Sequence, residues 1–158
     1  MAEPTAPVAE VFSSIQGEGL LAGLRQVFVR FRGCDLHCPY CDTPAARELD
    51  GPCRAESRPG GRSRKLDNPL TVSQVAKLVA KLAPPDDDLH HSVALTGGEP
   101  LLYPDFVAAL SDELRSRGLT VMLETNGQRP ADLQRVLSSV DIIAADYKLD
   151  STMDQPVD

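Results

Sequence analysis

Residues 26–43 read QVFVRFRGCDLHCPYCDT. The first seven alternate apolar and polar side chains, as a half-buried β-strand does. Directly after them come Cys34, Cys38 and Cys41 in a C-x3-C-x2-C run; the fourth cysteine of the chain is Cys53. An even count admits two disulfides, but nothing in the sequence points to export, and close thiols in a reducing compartment serve as metal ligands. Three thiolates can take three irons of a cubane cluster and leave the fourth iron without a protein ligand. That open position is what a reactive site needs. A structural zinc is the competing reading, and it wants four closed ligands. His37 or Cys53 would have to be the fourth, yet His37 lies inside the loop, awkwardly placed to turn inward. Cys53 reads instead as a free thiol or a local structural residue.

Upstream, residues 8–12 (VAEVF) alternate like a second half-buried strand, and SSIQGEGLLAG forms a glycine-containing loop between the two. Downstream, residues 44–70 are rich in Pro, Gly and Arg and read as an irregular exposed loop inserted in a single domain over 1–158. The insertion carries Arg47, Arg54, Arg58, Arg62, Arg64 and Lys65 against Glu48, Asp50, Glu56 and Asp67, an excess that solubility alone explains.

Regular alternation begins at Thr71. Thr71 and Gln74 have the spacing of a capping box, and Val75, Leu78, Val79 and Leu82 fall on one helical face. SVALT (92–96) reads as a short buried strand ending in GGEP. Phe106, Val107, Leu110 and Leu114 mark a second helix stopped by Gly118. LTVMLET (119–125) is a strand that runs into Asn-Gly, and Leu133, Val136 and Leu137 give a short helix after Pro130. DIIAADYKL (141–149) is the last strand. Strands alternating with helices predict a parallel α/β sheet or partial barrel, whose chemistry belongs at the carboxyl ends of the strands. The unusual clusters sit at those ends: GCDLHCPYCDT, GGEP, ETNG and DYK.

The balance of 16 basic against 23 acidic residues gives a net charge of -7. Nucleic-acid binding needs a basic stripe to displace counterions, and an anionic membrane surface makes a similar demand, so both are disfavoured. No apolar run approaches the roughly 20 residues that span a bilayer. MAEPTAPVAEVF has neither the basic start nor the apolar stretch of a signal peptide. The expectation is a soluble cytoplasmic protein.

The three-cysteine loop after a first strand, together with GGEP, resembles the signature of the radical S-adenosylmethionine (SAM) superfamily. The resemblance implies a [4Fe-4S] cluster on Cys34, Cys38 and Cys41, with SAM chelating the unique iron and yielding a 5′-deoxyadenosyl radical after reduction. It also implies a SAM site formed by Tyr40, Cys41, Asp42, Gly97, Gly98, Glu99, Glu124, Asn126, Asp146, Tyr147 and Lys148. Glycines at 97 and 98 would let backbone approach that ligand closely.

Within the superfamily, EVFSSIQGEG, VFVRFRGCDLHCPYCDT, TGGEPLL, LETNG and DYKLDST together resemble the 7-carboxy-7-deazaguanine synthases, from about residue 9 to residue 153. Those enzymes convert 6-carboxy-5,6,7,8-tetrahydropterin to 7-carboxy-7-deazaguanine with loss of ammonia, in 7-deazapurine and queuosine biosynthesis. The resemblance places Ile15, Gln16, Gly17, Glu18 and Thr96 against the pterin. It pairs Arg30 with the substrate carboxylate and gives Thr43 to a Mg²⁺ ion, for which a hard oxygen is suited. A homodimer and an electron donor such as flavodoxin or ferredoxin come with it. Asp150 stands where related enzymes often have proline. Because the chain ends at Asp158 and family members continue through further barrel strands, a truncated form is expected. Two alternatives stay open. A glycyl-radical-enzyme activase shares the cysteine spacing and GGEP but needs a large protein partner. A non-catalytic iron–sulfur or zinc module needs only the cysteines.

Overall fold

The computed structural model describes residues 2–84, 86, 88–146 and 148. Its strands and helices, in chain order, are β1 (Thr5–Ala6), β2 (Val8–Ile15), β3 (Arg25–Phe31), β4 (Cys53–Glu56), β5 (Ser63–Leu66), β6 (Leu70–Thr71), α1 (Val72–Leu82), β7 (Ser92–Gly97), α2 (Pro104–Ser116), β8 (Val121–Thr125), α3 (Pro130–Val136) and β9 (Ile142–Ala145). One seven-stranded sheet has the order β5-β4-β2-β3-β7-β8-β9, and β1 pairs with β6 in a separate ribbon. The pairs β3–β7, β7–β8 and β8–β9 are all parallel, as the alternation of helix and strand demands. The sheet is mixed, because β2 runs antiparallel to β3 and β5 antiparallel to β4. Among the described residues it stays open, with β5 and β9 as its edges.

The helix signals act as read. Thr71 accepts a hydrogen bond from the Gln74 N–H, and the Gln74 side chain accepts one from the Thr71 N–H, closing the capping box. Val75, Leu78, Val79 and Leu82 of α1 are buried together with Phe106, Val107, Leu110 and Leu114 of α2. Gly118, at φ +81°, ends the second helix in a conformation that glycine takes without a Cβ penalty.

Three readings need correction. The strand at 26–32 was expected to be half-buried, but Gln26, Val27, Phe28 and Val29 are all buried, because β3 lies between β2 and β7. The strand predicted at 8–12 continues to Ile15. Residues 44–70, expected to be irregular, contain a 3-10 turn at Pro44–Ala46 and the hairpin β4–β5, which extends the sheet beyond β2. Only Cys53 and Ala55 point inward from β4, and two apolar positions are too short a pattern to register as alternation. The edge strand β5 exposes Ser63, Arg64 and Lys65, and such charged edges resist pairing with a second molecule. Tyr147, Asp150 and the end of the strand predicted at 141–149 lie outside the described residues. No helix among the described residues is long and apolar enough to cross a membrane.

Alternation divides the sheet into two faces. Val11, Val29, Leu95 and Leu123 belong to the apolar core that α1 and α2 cover. The opposite face carries rows set by register. Glu10 pairs with Arg30 and Arg30 with Thr96; Phe12 pairs with Phe28, Phe28 with Ala94, and Ala94 with Met122. One step past the Leu95–Leu123 pair of β7 and β8, Glu124 continues the row of Thr96.

Cys53 is fully buried, and that burial pushes its thiol from 9.0 up to about 12, against a smaller pull downward from Arg32. Iodoacetamide at pH 8 should therefore modify Cys34, Cys38 and Cys41 in the native apo-chain and spare Cys53 until urea unfolds it. Peptide mass mapping reads this directly; equal labelling of all four thiols would contradict the placement of β4.

Candidate functional site

The carboxyl ends of β3, β7, β8 and β9 come together at one end of the sheet. Gly33 follows β3 at φ +87° and turns the chain into the cysteine loop. From there the Gly98 N–H donates to the Phe31 carbonyl (3.1 Å) and the Glu99 N–H to the Gly33 carbonyl (2.7 Å). These bonds lay the turn after β7 against the root of the loop. A Cβ on Gly98 would stand 1.8 Å from the Gly33 oxygen, and one on Gly97 2.4 Å from the Phe31 nitrogen. Both glycines are required by backbone packed on backbone.

Glu99 has no exposed surface. Its carboxylate accepts from the Leu101 N–H (2.9 Å), the Thr125 hydroxyl (2.8 Å) and the Asn126 N–H (2.8 Å). Burial raises its pKa, and these donors pull it partly back. The side chain thus locks the second strand–helix loop to the end of β8 and does not face outward. Asn126, also buried, uses its side-chain amide on Asp35 Oδ1 (2.8 Å), while its oxygen accepts from the Gln128 N–H (3.0 Å). The Asp146 N–H donates to the Thr125 carbonyl, Asp146 pairs with Lys148 at 2.6 Å, and the Lys148 ammonium lies 5.5 Å from the centre of the Tyr40 ring. Burial works to lower the Lys148 pKa, but Asp146, Tyr40 and Cys38 more than offset it and the net direction is upward. The four clusters read from sequence therefore meet, each tied to the next.

In the cysteine loop, Cys34, Cys38 and Cys41 are free and partly exposed. The Cys34 sulfur accepts from the Leu36 N–H (3.5 Å), and the Cys41 N–H donates to the Cys38 carbonyl (3.1 Å). Burial raises the Cys34 pKa. Among the described residues no three His, Cys, Asp or Glu side chains stand around one point as ligands of a single ion. A cubane cluster makes no such demand, since each thiolate takes its own iron. Three soft donors on a loop with partly open sulfurs, one already receiving an N–H, fit that group.

On the face turned away from the helices, Arg30 sits between Glu10, 3.5 Å from its Nε, and the Thr43 hydroxyl, 3.4 Å from Nη1, with its guanidinium 5.7 Å from the centre of the Phe12 ring. Its Nε is buried and makes no hydrogen bond. Thr43 donates to Asp42 Oδ1 (3.2 Å), so two hard oxygens stand side by side. Gln16 is buried and folds across this face. Its amide reaches Gln26 Oε1 (2.9 Å) and Glu124 Oε1 (2.5 Å), a residue 108 positions away, and its oxygen accepts from the Glu18 N–H (3.1 Å). Gly17 and Glu18 are exposed on the same loop, and Ile15, at 47% exposure, leads into it. Thr96 is buried beside Arg30 in the row. Arg30, Thr43, Thr96, Gln16 and Glu124 are thus brought together. Sequence reading missed Asp35 and Arg129, which tie the loops to one another; a carboxylate directly after the first cysteine was the available signal.

The model of the Radical SAM superfamily matches residues 28–151, from the middle of β3 past the end of β9. The chain belongs to the radical SAM superfamily. Membership implies a [4Fe-4S] cluster and SAM. The chain is also 50% identical over 153 residues to the 7-carboxy-7-deazaguanine synthase of Geobacter sulfurreducens, covering 96% of this chain and 60% of that protein. It is 45% identical over 144 residues to the protein of the same name from Methanothermobacter thermautotrophicus, covering 91% of this chain and 50% of the relative. The chain therefore spans about half to three-fifths of these relatives' length. A crystal structure of QueE from Escherichia coli shares the fold, with a TM-score of 0.59 at 23% identity over 78% of this chain and 54% of that one.

Replacing Glu99 by glutamine puts an NH₂ group against one of three inward-pointing donors. We expect Glu99→Gln to lower stability by about 1–3 kcal/mol, the cost of a buried polar group left unpaired. Urea unfolding followed by circular dichroism measures it; an unchanged midpoint would show that the carboxylate is not the lock described.

Proposed function

We propose that this radical SAM chain forms the cluster-bearing part of a 7-carboxy-7-deazaguanine synthase, converting 6-carboxy-5,6,7,8-tetrahydropterin to 7-carboxy-7-deazaguanine with loss of ammonia. The observation that carries the reading is Arg30. Its buried Nε makes no hydrogen bond, and it stands in the row of Thr96 and Glu124, beside Thr43 of the cysteine loop. A planar guanidinium with a donor to spare is suited to a carboxylate. Glu10 is the anion a substrate carboxylate would displace from it. The two relatives' shared name supports the same substrate.

Cys34, Cys38 and Cys41 would hold the cluster, which with SAM would supply the radical chemistry. The chain's own residues bind and orient. Tyr40, Asp42 and Lys148, with the main chain around Gly97 and Gly98, border the SAM side; Glu99 and Asn126 hold that border in place from within. Gln16 fixes the loop of Ile15, Gly17 and Glu18 over the pterin side by its bonds to Gln26 and Glu124. Asp146 orients Lys148 through their ion pair. Thr43 and Asp42 offer oxygens to Mg²⁺. Tyr147 belongs to the same segment by sequence. The reading includes a cytoplasmic homodimer and an electron donor of the flavodoxin or ferredoxin kind.

Anaerobic reconstitution with iron and sulfide should give a brown protein that makes 5′-deoxyadenosine from SAM under a strong reductant. A colourless zinc protein would overturn the proposal. In a form extended to the relatives' full length, the carboxypterin should yield the deazaguanine by mass spectrometry, and its absence counts against this substrate. There, Arg30→Lys should lower kcat/KM about 10- to 100-fold, since a hydrogen bond to a charged group is worth about 1.5–3 kcal/mol. Steady-state kinetics with the carboxylated pterin reads the effect.

A further inference from the structure

We propose that Asp35 is a positioning residue for the cluster: bonded at once to Asn126 and Arg129, it fixes the Cys34 end of the loop and, with Arg129, sets how readily the cluster accepts an electron. The inference rests on the cluster part of the proposed function and not on the pterin.

Asp35 is the covalent neighbour of Cys34. Its Oδ1 accepts from Asn126 Nδ2 at 2.8 Å and its Oδ2 from Arg129 Nη1 at 3.3 Å. Both partners are themselves held at a second point. The Asn126 N–H donates to buried Glu99, and Arg129 Nε donates to the Leu101 carbonyl (3.0 Å) and to Asp132 (3.0 Å). One carboxylate therefore fastens the cysteine loop to the loop between β8 and α3, 91 and 94 positions away, and through Asn126 and Arg129 to the turn after β7. Nothing in the spacing of the cysteines requires an acid here. An acid that spans two loops is doing more than capping its own.

The charges give the clamp a second consequence. Reduction places one more negative charge on a cluster, so a nearby carboxylate opposes it and a nearby guanidinium favours it. Asp35 and Arg129 are the two halves of one ion pair, each side chain 31% exposed. At that exposure solvent screens part of the effect, and changes of several-fold in the reduction equilibrium are expected instead of many decades. Removing either partner breaks the same contact. A role confined to structure would move both variants in the same direction; a role in setting the cluster's electron affinity moves them apart.

The test uses the 158-residue chain reconstituted anaerobically. Wild type, Asp35→Asn and Arg129→Gln are titrated with mediators and followed by the electron paramagnetic resonance signal of the reduced cluster. At the potential that half-reduces the wild type, Asp35→Asn should show a reduced-to-oxidised ratio several-fold higher and Arg129→Gln one several-fold lower. Hydrogen exchange on the apo-chains supplies a second reading. Amides of 34–41 should exchange several-fold faster in both variants and in Asn126→Ala, with β3 and β7 unchanged. Shifts in the same direction, or none, overturn the proposal. Where a variant takes no cluster, unchanged exchange of the loop overturns it and faster exchange confined to the loop supports it. A wild type that takes no cluster removes the cluster reading and this inference together; a wild type that takes one, with unmoved variants, removes this inference alone.

Discussion

A carboxylate sealed from water holds the active end of this sheet together. Glu99 ionised and unpaired would be too costly to bury, and three donors from two different loops are what make its position tolerable. The requirement works in both directions. Leu101, Thr125 and Asn126 cannot drift apart without stranding the charge, so the turn after β7 and the end of β8 keep one mutual geometry. The main-chain bonds from Gly98 and Glu99 to Phe31 and Gly33 then pass that geometry to the root of the cysteine loop. The exposed loop, weak by itself, inherits its order from a buried group that it never touches.

Division of the sheet into two faces explains where chemistry has room. The helix-covered face is filled by valine and leucine, and a polar side chain there would need a partner inside the core. On the other face polar groups bond to one another, with Arg30 Nε left over. Gln26 donates to Ser92 (2.7 Å), Gln16 to Gln26 and Glu124, and Arg30 reaches Thr43. Phe12 and Phe28 stack at 5.2 Å between the polar row at the strand ends and the glutamine pair at the other end. The face thus has an apolar band flanked by hydrogen-bonding groups, the composition of a small-molecule site.

Much of this was legible in the sequence, because helices and parallel strands announce themselves through periodicity and place their special residues at strand ends. Thr71 and Gln74, the four-residue faces of α1 and α2, and the clusters after each strand were all readable from local spacing. The hairpin β4–β5 was not, since its inward positions reduce to Cys53 and Ala55 and its outward ones to the charges of an edge strand. The pairing of Gln16 with Glu124 and of Asp35 with Asn126 and Arg129 was equally hidden. Contacts across 91 to 108 positions carry no local signal, and only the order of strands in the sheet brings them within reach.

The packing of the GGE turn adds a second reason for its residue types. A Cβ at either glycine would meet the Phe31 and Gly33 backbone. Both Glu99 oxygens accept from the chain. Charge comes from the elements around the turn: Asp35 and Arg129 beside the loop, Lys148 over Tyr40, Asp42 by Thr43, and Arg30 on the open face. The turn sets positions, and selection among ligands falls to side chains that the other strands deliver.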